Sequence, residues 1–131
     1  MRFFFDNNLS PHIARAMHCL NQPDGIDVVH LREKFAPSTG DVEWIEHLAT
    51  EGDWAVVTLD HDITRRGAIK IAWKKAGLVG FVLRPAWQAF SPMEQAWRLI
   101  RMWPTIVNQC RLAAPGSTYE LGIQGGKIRT L

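Results

Sequence analysis

The segment that most constrains the fold is residues 54–62, an apolar run that ends in two carboxylates one residue apart. Residues 54–59 are apolar or β-branched without alternation, which is typical of a strand covered on both faces. We therefore expect a central strand of a parallel sheet here. Ligands of open α/β sheets bind outside the carboxyl ends of such strands, so Asp60 and Asp62 are predicted to lie there. A single aspartate after a strand is equally typical of a turn or a helix N-cap. The case for a functional site therefore depends on whether acids also follow other predicted strands.

Short apolar runs and amphipathic segments alternate along the rest of the chain. Strands are predicted over 2–5, 26–31 and 78–83, with a loop over 32–40. Helices are predicted from Ser10-Pro11, from about Asp41 to Gly52, over 64–76, and from Ser91-Pro92 to Pro104, followed by a short helix over 105–112. Residues 118–123 and 127–130 flank Gly125-Gly126 as a β-hairpin. The alternation predicts an α/β fold with a mainly parallel sheet.

Size and charge set wide bounds on the function. A chain of 131 residues fits one domain, which we place at 1–131. It has no apolar stretch long enough for a signal peptide or a membrane span, so we expect a cytoplasmic protein without a membrane partner. The net charge of +2 permits a nucleic-acid partner without requiring one. The oligomeric state stays open, a homodimer included.

Acidic residues recur just after predicted strands or in the first turn of predicted helices. Gathered at one sheet edge, several carboxylates repel one another unless a cation neutralises them, and oxygen ligands suit Mg²⁺ or Mn²⁺. Such an ion can bind a scissile phosphate and activate water, as in many nucleases. Acids in a first helical turn also simply complement the helix dipole. The candidates are Asp6, Asp41 or Glu43, Asp60 and Asp62, with Asn8 and His61 as additional ones.

His61 lies between Asp60 and Asp62. It could be a metal ligand or a proton shuttle. Because alternate residues leaving a strand face opposite sides, we expect its ring to point away from the acids.

Basic residues are predicted to form a stripe that begins beside the same acids. Arg66, Lys70 and Lys74 recur every fourth residue along the predicted helix, and Arg65 and Arg84 lie near the same edge. Such a stripe is often only a solvated face, but next to a carboxylate cluster it is also suited to RNA phosphates.

Three segments together resemble a known family: FFFDNNLS at 3–10, DVEWI at 41–45 and TLDHD at 58–62. The pattern resembles the short PIN-like domains, compact relatives of the PIN-domain ribonucleases that serve as VapC-type toxins. The resemblance covers about 1–104, with 105–131 as an extension. It implies a PIN-like three-layer α/β/α sandwich and a ribonuclease dependent on Mg²⁺ or Mn²⁺, often encoded beside an antitoxin protein that inhibits it.

The resemblance also implies roles for particular acids. Asp6, Asp60 and Asp62 would be catalytic, metal-binding acids, and the fourth acid would be Asp41 or Glu43, with Asp41 favoured by the short relatives. The chain departs from many short relatives in having Asn7 after the first aspartate, and its last two acids come earlier than in full-length PIN domains. The shortened core favours one bound metal.

Two other classes compete with the nuclease. A receiver-like phosphoacceptor domain also places acids at strand ends, but it has paired acids at the first strand and a lysine before the late proline, where this chain has Asp6-Asn7 and Arg84. A catalytically silent PIN-like module that binds RNA or a protein is the other alternative, and only an activity assay separates it from an enzyme.

Overall fold

The computed structural model describes residues 1–124 and 128–131, and in them a six-stranded sheet is covered by helices on both faces. The strands run in the spatial order β2-β1-β3-β4-β5-β6; β1 to β5 are parallel and β6 is antiparallel to β5. The strands are β1 (Arg2–Phe5), β2 (Asp27–His30), β3 (Trp54–Thr58), β4 (Val79–Leu83), β5 (Thr118–Leu121) and β6 (Ile128–Thr130). The helices are α1 (Pro11–Asn21), α2 (Leu31–Lys34), α3 (Asp41–Glu51), α4 (Gly67–Ala76) and α5 (Pro92–Leu112).

The successive phenylalanines of β1 show how the three layers form. Phe3 and Phe5 point to one face of the sheet, where they pack with α1 and α5, whereas Phe4 points to the other face, where it packs with α3 and α4. Every residue of β3 is buried, as expected for a central strand between two layers of helices. The α/β/α sandwich with a mainly parallel sheet and a C-terminal antiparallel strand pair is therefore confirmed.

Two helix predictions were wrong where a local rule competed with packing. Helix α5 is continuous over 21 residues with Pro104 inside it, so the predicted stop and separate short helix do not exist. Proline removes one backbone hydrogen bond, but Trp103 and Val107 are buried on either side of it, and Pro104 itself faces solvent. Trp97, on the same helix, is 45% exposed.

The segment before α4 is also different from the prediction. The chain forms a 3₁₀ turn at His61–Thr64, passes through an extended Arg66, and enters α4 only at Gly67, which has a positive φ of 44°. Arg66 therefore precedes the helix that carries Lys70 and Lys74. The predicted loop over 32–40 begins with the short helix α2. The Gly125-Gly126 turn lies outside the described residues.

The indole of Trp73 connects α4 to the C-terminal strand pair. Its Nε1 donates a hydrogen bond to Thr118 Oγ1 at 3.0 Å, and its ring lies over the backbone of Gly80. A Cβ atom at residue 80 would overlap the buried ring, so glycine is required for this close approach. The contact fixes one face of α4 against β4 and β5.

In the described part of the chain, 1–124 and 128–131, no helix combines the length and apolar character that crossing a membrane would require.

Candidate carboxylate site

Parallel pairing brings the ends of β1 and β3 to the same edge of the sheet. Phe5 pairs with Val57, so the next residues, Asp6 and Thr58, are neighbours, and the Asp6 backbone N–H donates to Val57 O at 3.4 Å. Asp6 is only 4% exposed. The strand end therefore holds a carboxylate inside the protein, where it needs hydrogen-bond partners.

Both oxygens of Asp6 have such partners. Asn8 N–H donates to Oδ1 at 3.1 Å, and the Thr58 hydroxyl donates to Oδ2 in a short hydrogen bond. The same hydroxyl oxygen accepts from Asp60 N–H at 2.9 Å. Thr58 thus connects two of the predicted acids. This role was not predicted from the sequence, although a polar residue at the end of an otherwise apolar buried strand is a usable signal.

The pKa of Asp6 shows which acids act on one another. Burial raises this pKa from an ordinary 3.8 to about 7; the hydrogen bonds from Thr58 and Asn8 oppose the rise, and the charges of Asp60 and Asp41 add to it. The structure therefore brings Asp6, Asp41 and Asp60 into one electrostatic neighbourhood. Glu43 and Asp62 are not among the main causes of this shift.

Asp41 is the first residue of α3, and its Oδ1 accepts a hydrogen bond from Trp44 Nε1 at 3.0 Å. Because the Trp44 side chain is fully buried, this bond restricts the carboxylate to the edge that Asp6 also occupies. Glu43 is exposed. Of the two alternatives for the fourth acid, the geometry favours Asp41.

Asp60 and Asp62 are linked through the 3₁₀ turn that they begin. Asp60 Oδ1 accepts from Asp62 N–H at 2.9 Å, which caps the turn. Asp62, whose side chain is 46% exposed, forms an ion pair with Arg66 at 3.4 Å. Nε2 of His61 is shielded from solvent and has no hydrogen-bond partner within the described ranges, so this nitrogen is not presented to a substrate.

The buried His30, at the end of β2, holds the loop that follows Asp6. Its Nδ1 accepts from Arg32 N–H at 3.1 Å, so Nε2 carries the proton and donates to Leu9 O at 2.7 Å. Burial lowers the pKa of His30, which keeps the ring neutral in this role. The sequence analysis did not single out this histidine.

The predicted metal site can be compared with the structure in the arrangement of its side chains and in the chemistry of their donor atoms. In residues 1–124 and 128–131, no three or more Asp, Glu, His or Cys side chains are arranged to hold a metal ion. The acids that act on Asp6 nevertheless offer only oxygen donors, which Mg²⁺ and Mn²⁺ prefer. A cation would relieve the repulsion that adds to the effect of burial on the pKa of Asp6. The donor set therefore fits a hard divalent cation.

The predicted basic residues have different surroundings. Lys70 and Lys74 line a cleft of about 290 Å³ between α4 and the C-terminal strands, together with the hydroxyl residues Thr64, Ser117, Thr118 and Thr130. Arg66 is paired with Asp62, Arg84 is paired with Glu120 at 3.7 Å, and Arg65 is exposed. We call the cleft that contains the two lysines the basic cleft.

The chain thus has a mainly parallel sheet between two helical layers, with acids at the ends of the neighbouring strands β1 and β3. The profile of the PIN-like domain family matches residues 1–85, and the chain belongs to this family. PIN-like domains are commonly nucleases, usually use divalent metals and act on nucleic acids. No curated protein and no solved structure matches the chain. Family membership removes the receiver-like alternative.

Proposed function

We propose that the protein is a metal-dependent endoribonuclease that hydrolyses RNA phosphodiesters at the carboxylate edge. The observation that carries the proposal is the coupling of Asp6 to Asp60 and Asp41 at the strand ends of a PIN-like domain. An acid whose pKa is raised by burial, with a smaller contribution from two neighbouring carboxylates, is costly to the fold and is typical of functional sites.

Asp6 and Asp60 would bind Mg²⁺ or Mn²⁺ directly, and Asp41 and Asp62 would complete the shell or orient water. The bound cation would polarise the scissile phosphate and lower the pKa of a water molecule. Thr58 orients Asp6 relative to Asp60, and Trp44 orients Asp41. Glu43 and His61 have no role in this proposal.

Chelation gives the direct test. The purified protein should cleave single-stranded RNA with Mg²⁺ or Mn²⁺, stop in excess chelator, and recover when metal is restored, because ionised carboxylates need the cation to approach a phosphate. The measurement is gel analysis of end-labelled RNA. Undiminished cleavage in chelator would refute the metal mechanism, and no cleavage with either metal would favour the silent RNA-binding module.

The motifs at 3–10, 41–45 and 58–62 support a more specific role as the toxin of a toxin–antitoxin pair, with an antitoxin protein as partner. Induced expression in a bacterial host should then arrest growth, and the Asp6→Asn variant should not. Co-expression of the antitoxin should restore the growth of cells that express the wild-type protein. An active enzyme that leaves growth unchanged would contradict the toxin role.

The basic cleft is proposed to hold the RNA backbone on its way to the acids. Reversing both Lys70 and Lys74 to Glu should weaken RNA binding and reduce the slope of log K against log salt by about 1 to 2, because two phosphate contacts are lost. Fluorescence anisotropy at several salt concentrations measures both effects.

Lys75→Glu is the matched control for this prediction. Lys75 is exposed on the same helix but lines a different groove with Glu46 and Ala49. Two results would show that RNA reaches the acids from another side. One is a double variant that binds RNA with the wild-type salt slope. The other is a Lys75→Glu control whose salt slope falls as much for each reversed lysine as that of the double variant.

A further inference from the structure

A second cleft, of about 340 Å³, borders the acids and is lined by Asn8, Leu59, Gln88 and Gln95. Its place follows from two of these residues. Asn8 N–H is hydrogen-bonded to Asp6, and Leu59 directly precedes Asp60. An RNA strand whose phosphate reaches the acids would therefore bring a neighbouring nucleotide to this cleft, which we call the amide cleft.

The amide cleft differs chemically from the basic cleft. None of its four lining residues is charged, and three of them carry side-chain amides, whereas the basic cleft contains two lysines. Phosphates are bound by cations, so a neutral cleft is poorly suited to the RNA backbone. Amides offer a donor and an acceptor side by side, which matches the edges of nucleobases.

Gln95 is held in place for such a contact. It is 8% exposed, and its Nε2 donates to Trp87 O at 3.0 Å. Trp87 is anchored in turn, because its Nε1 donates to Gly122 O at 3.2 Å. Within residues 1–124 and 128–131, Oε1 of Gln95 accepts no hydrogen bond. A buried side chain with one end fixed and a free acceptor at a cleft is a preorganised recognition group.

Resting on the proposed ribonuclease function, we propose that the amide cleft binds a nucleobase of the RNA substrate next to the scissile phosphate. The free acceptor of Gln95 pairs with an exocyclic amino group, which adenine, cytosine and guanine have and uracil lacks. Leu59 supplies an apolar contact, and the exposed Asn8 and Gln88 adapt to the remaining polar atoms of the base. The cleft thereby adds base selectivity to the backbone contacts of the basic cleft.

The test is an NMR titration of the metal-free protein with the 5′-monophosphates of adenosine, cytidine, guanosine and uridine, and with ribose 5-phosphate as the base-free probe. The side-chain amide signals of Asn8, Gln88 and Gln95 should shift saturably with at least one amino-bearing nucleotide and less with uridine monophosphate. Ribose 5-phosphate should leave them in place. Shifts of equal size with ribose 5-phosphate, or no shifts with any nucleotide, would overturn the proposal.

Gln88→Ala should weaken nucleotide binding by about threefold or more, the loss expected for one neutral hydrogen bond. Gln109→Ala, about 21 Å further along α5 than Gln95, should leave it unchanged. Equal effects of the two variants would contradict the assignment. Because the titration needs neither metal nor cleavage, its outcome is independent of whether the chelator experiment upholds the ribonuclease.

Discussion

Asp6→Asn is expected to abolish RNA cleavage and, at the same time, to stabilise the fold at neutral and alkaline pH. The amide removes the charge that would hold a cation, so the catalytic loss is complete in the proposed mechanism. It also removes a negative charge that burial disfavours and that Asp60 and Asp41 repel. Catalytic residues often lower the stability of the fold, and Asp6 is expected to behave in this way.

The pH dependence of the free energy of unfolding follows from the raised pKa of Asp6. The pKa of Asp6 is about 7 in the folded protein, and its ordinary value is 3.8. Between these pH values the folded protein therefore keeps a proton that the unfolded chain releases. This contribution to stability is fully present below pH 3.8 and is lost as the pH rises through 7. Asp6→Asn should therefore unfold at similar denaturant concentrations to the wild type near pH 4 and be more stable at pH 8, by up to about 4 kcal/mol.

Chemical denaturation at pH 4, 6 and 8 measures the effect, and Asp24→Asn is the matched control. Asp24 is an exposed acid in the turn before β2, at the opposite edge of the sheet from the strand ends that carry Asp6. It should leave both cleavage and the pH profile unchanged. Full activity in Asp6→Asn would place the site elsewhere, and a variant that is less stable at pH 8 would mean that the hydrogen bonds to Asp6 outweigh its repulsion.

Thr58→Val should damage the site without removing any acid. The change keeps the volume but deletes the hydroxyl that donates to Asp6 and accepts from Asp60 N–H. The loss leaves a buried carboxylate and a backbone N–H with fewer partners, at a cost of about 1–3 kcal/mol in stability. Since the Thr58 bond lowers the pKa of Asp6, that pKa should rise above 7. The onset of cleavage should therefore move to higher pH.

The pH–rate profile is the informative measurement, because a merely structural loss lowers the rate at every pH without moving the onset. Thr58→Ser retains the hydroxyl and should restore the wild-type onset. If Thr58→Val keeps the wild-type profile, or if serine fails to restore it, Thr58 does not position Asp6.

Local pattern was enough to predict the elements that carry the acids. The continuous apolar run ending at Asp60 specified a buried central strand, and Ser10-Pro11 and Asp41 marked the starts of α1 and α3. Helix α5 could not be read in this way. The missing N–H of Pro104 is visible in the sequence, whereas the burial of Trp103 and Val107 against the sheet is a tertiary contribution.

The positioning residues were missed for a related reason. Thr58 acts on an acid 52 residues away, and His30 on a carbonyl 21 residues away, so neither partner is visible until the strands are paired. The acids themselves could be proposed as candidates because each was predicted to follow a strand or to begin a helix. Their convergence on Asp6 depends on the strand order, which brings β1 beside β3.

The family match ends at residue 85, but the hydrophobic core around the first strand also includes residues beyond it. Helix α5 lies beyond that limit, and its Trp103 packs on Phe3 with ring centroids 4.7 Å apart and donates to Asn21 at 2.8 Å. A fragment cut at the end of the match would deprive Phe3 and Phe5 of their contacts with α5, and β4 would become an unprotected sheet edge. The part of the chain that matches the family is thus smaller than the part that forms the hydrophobic core around the first strand.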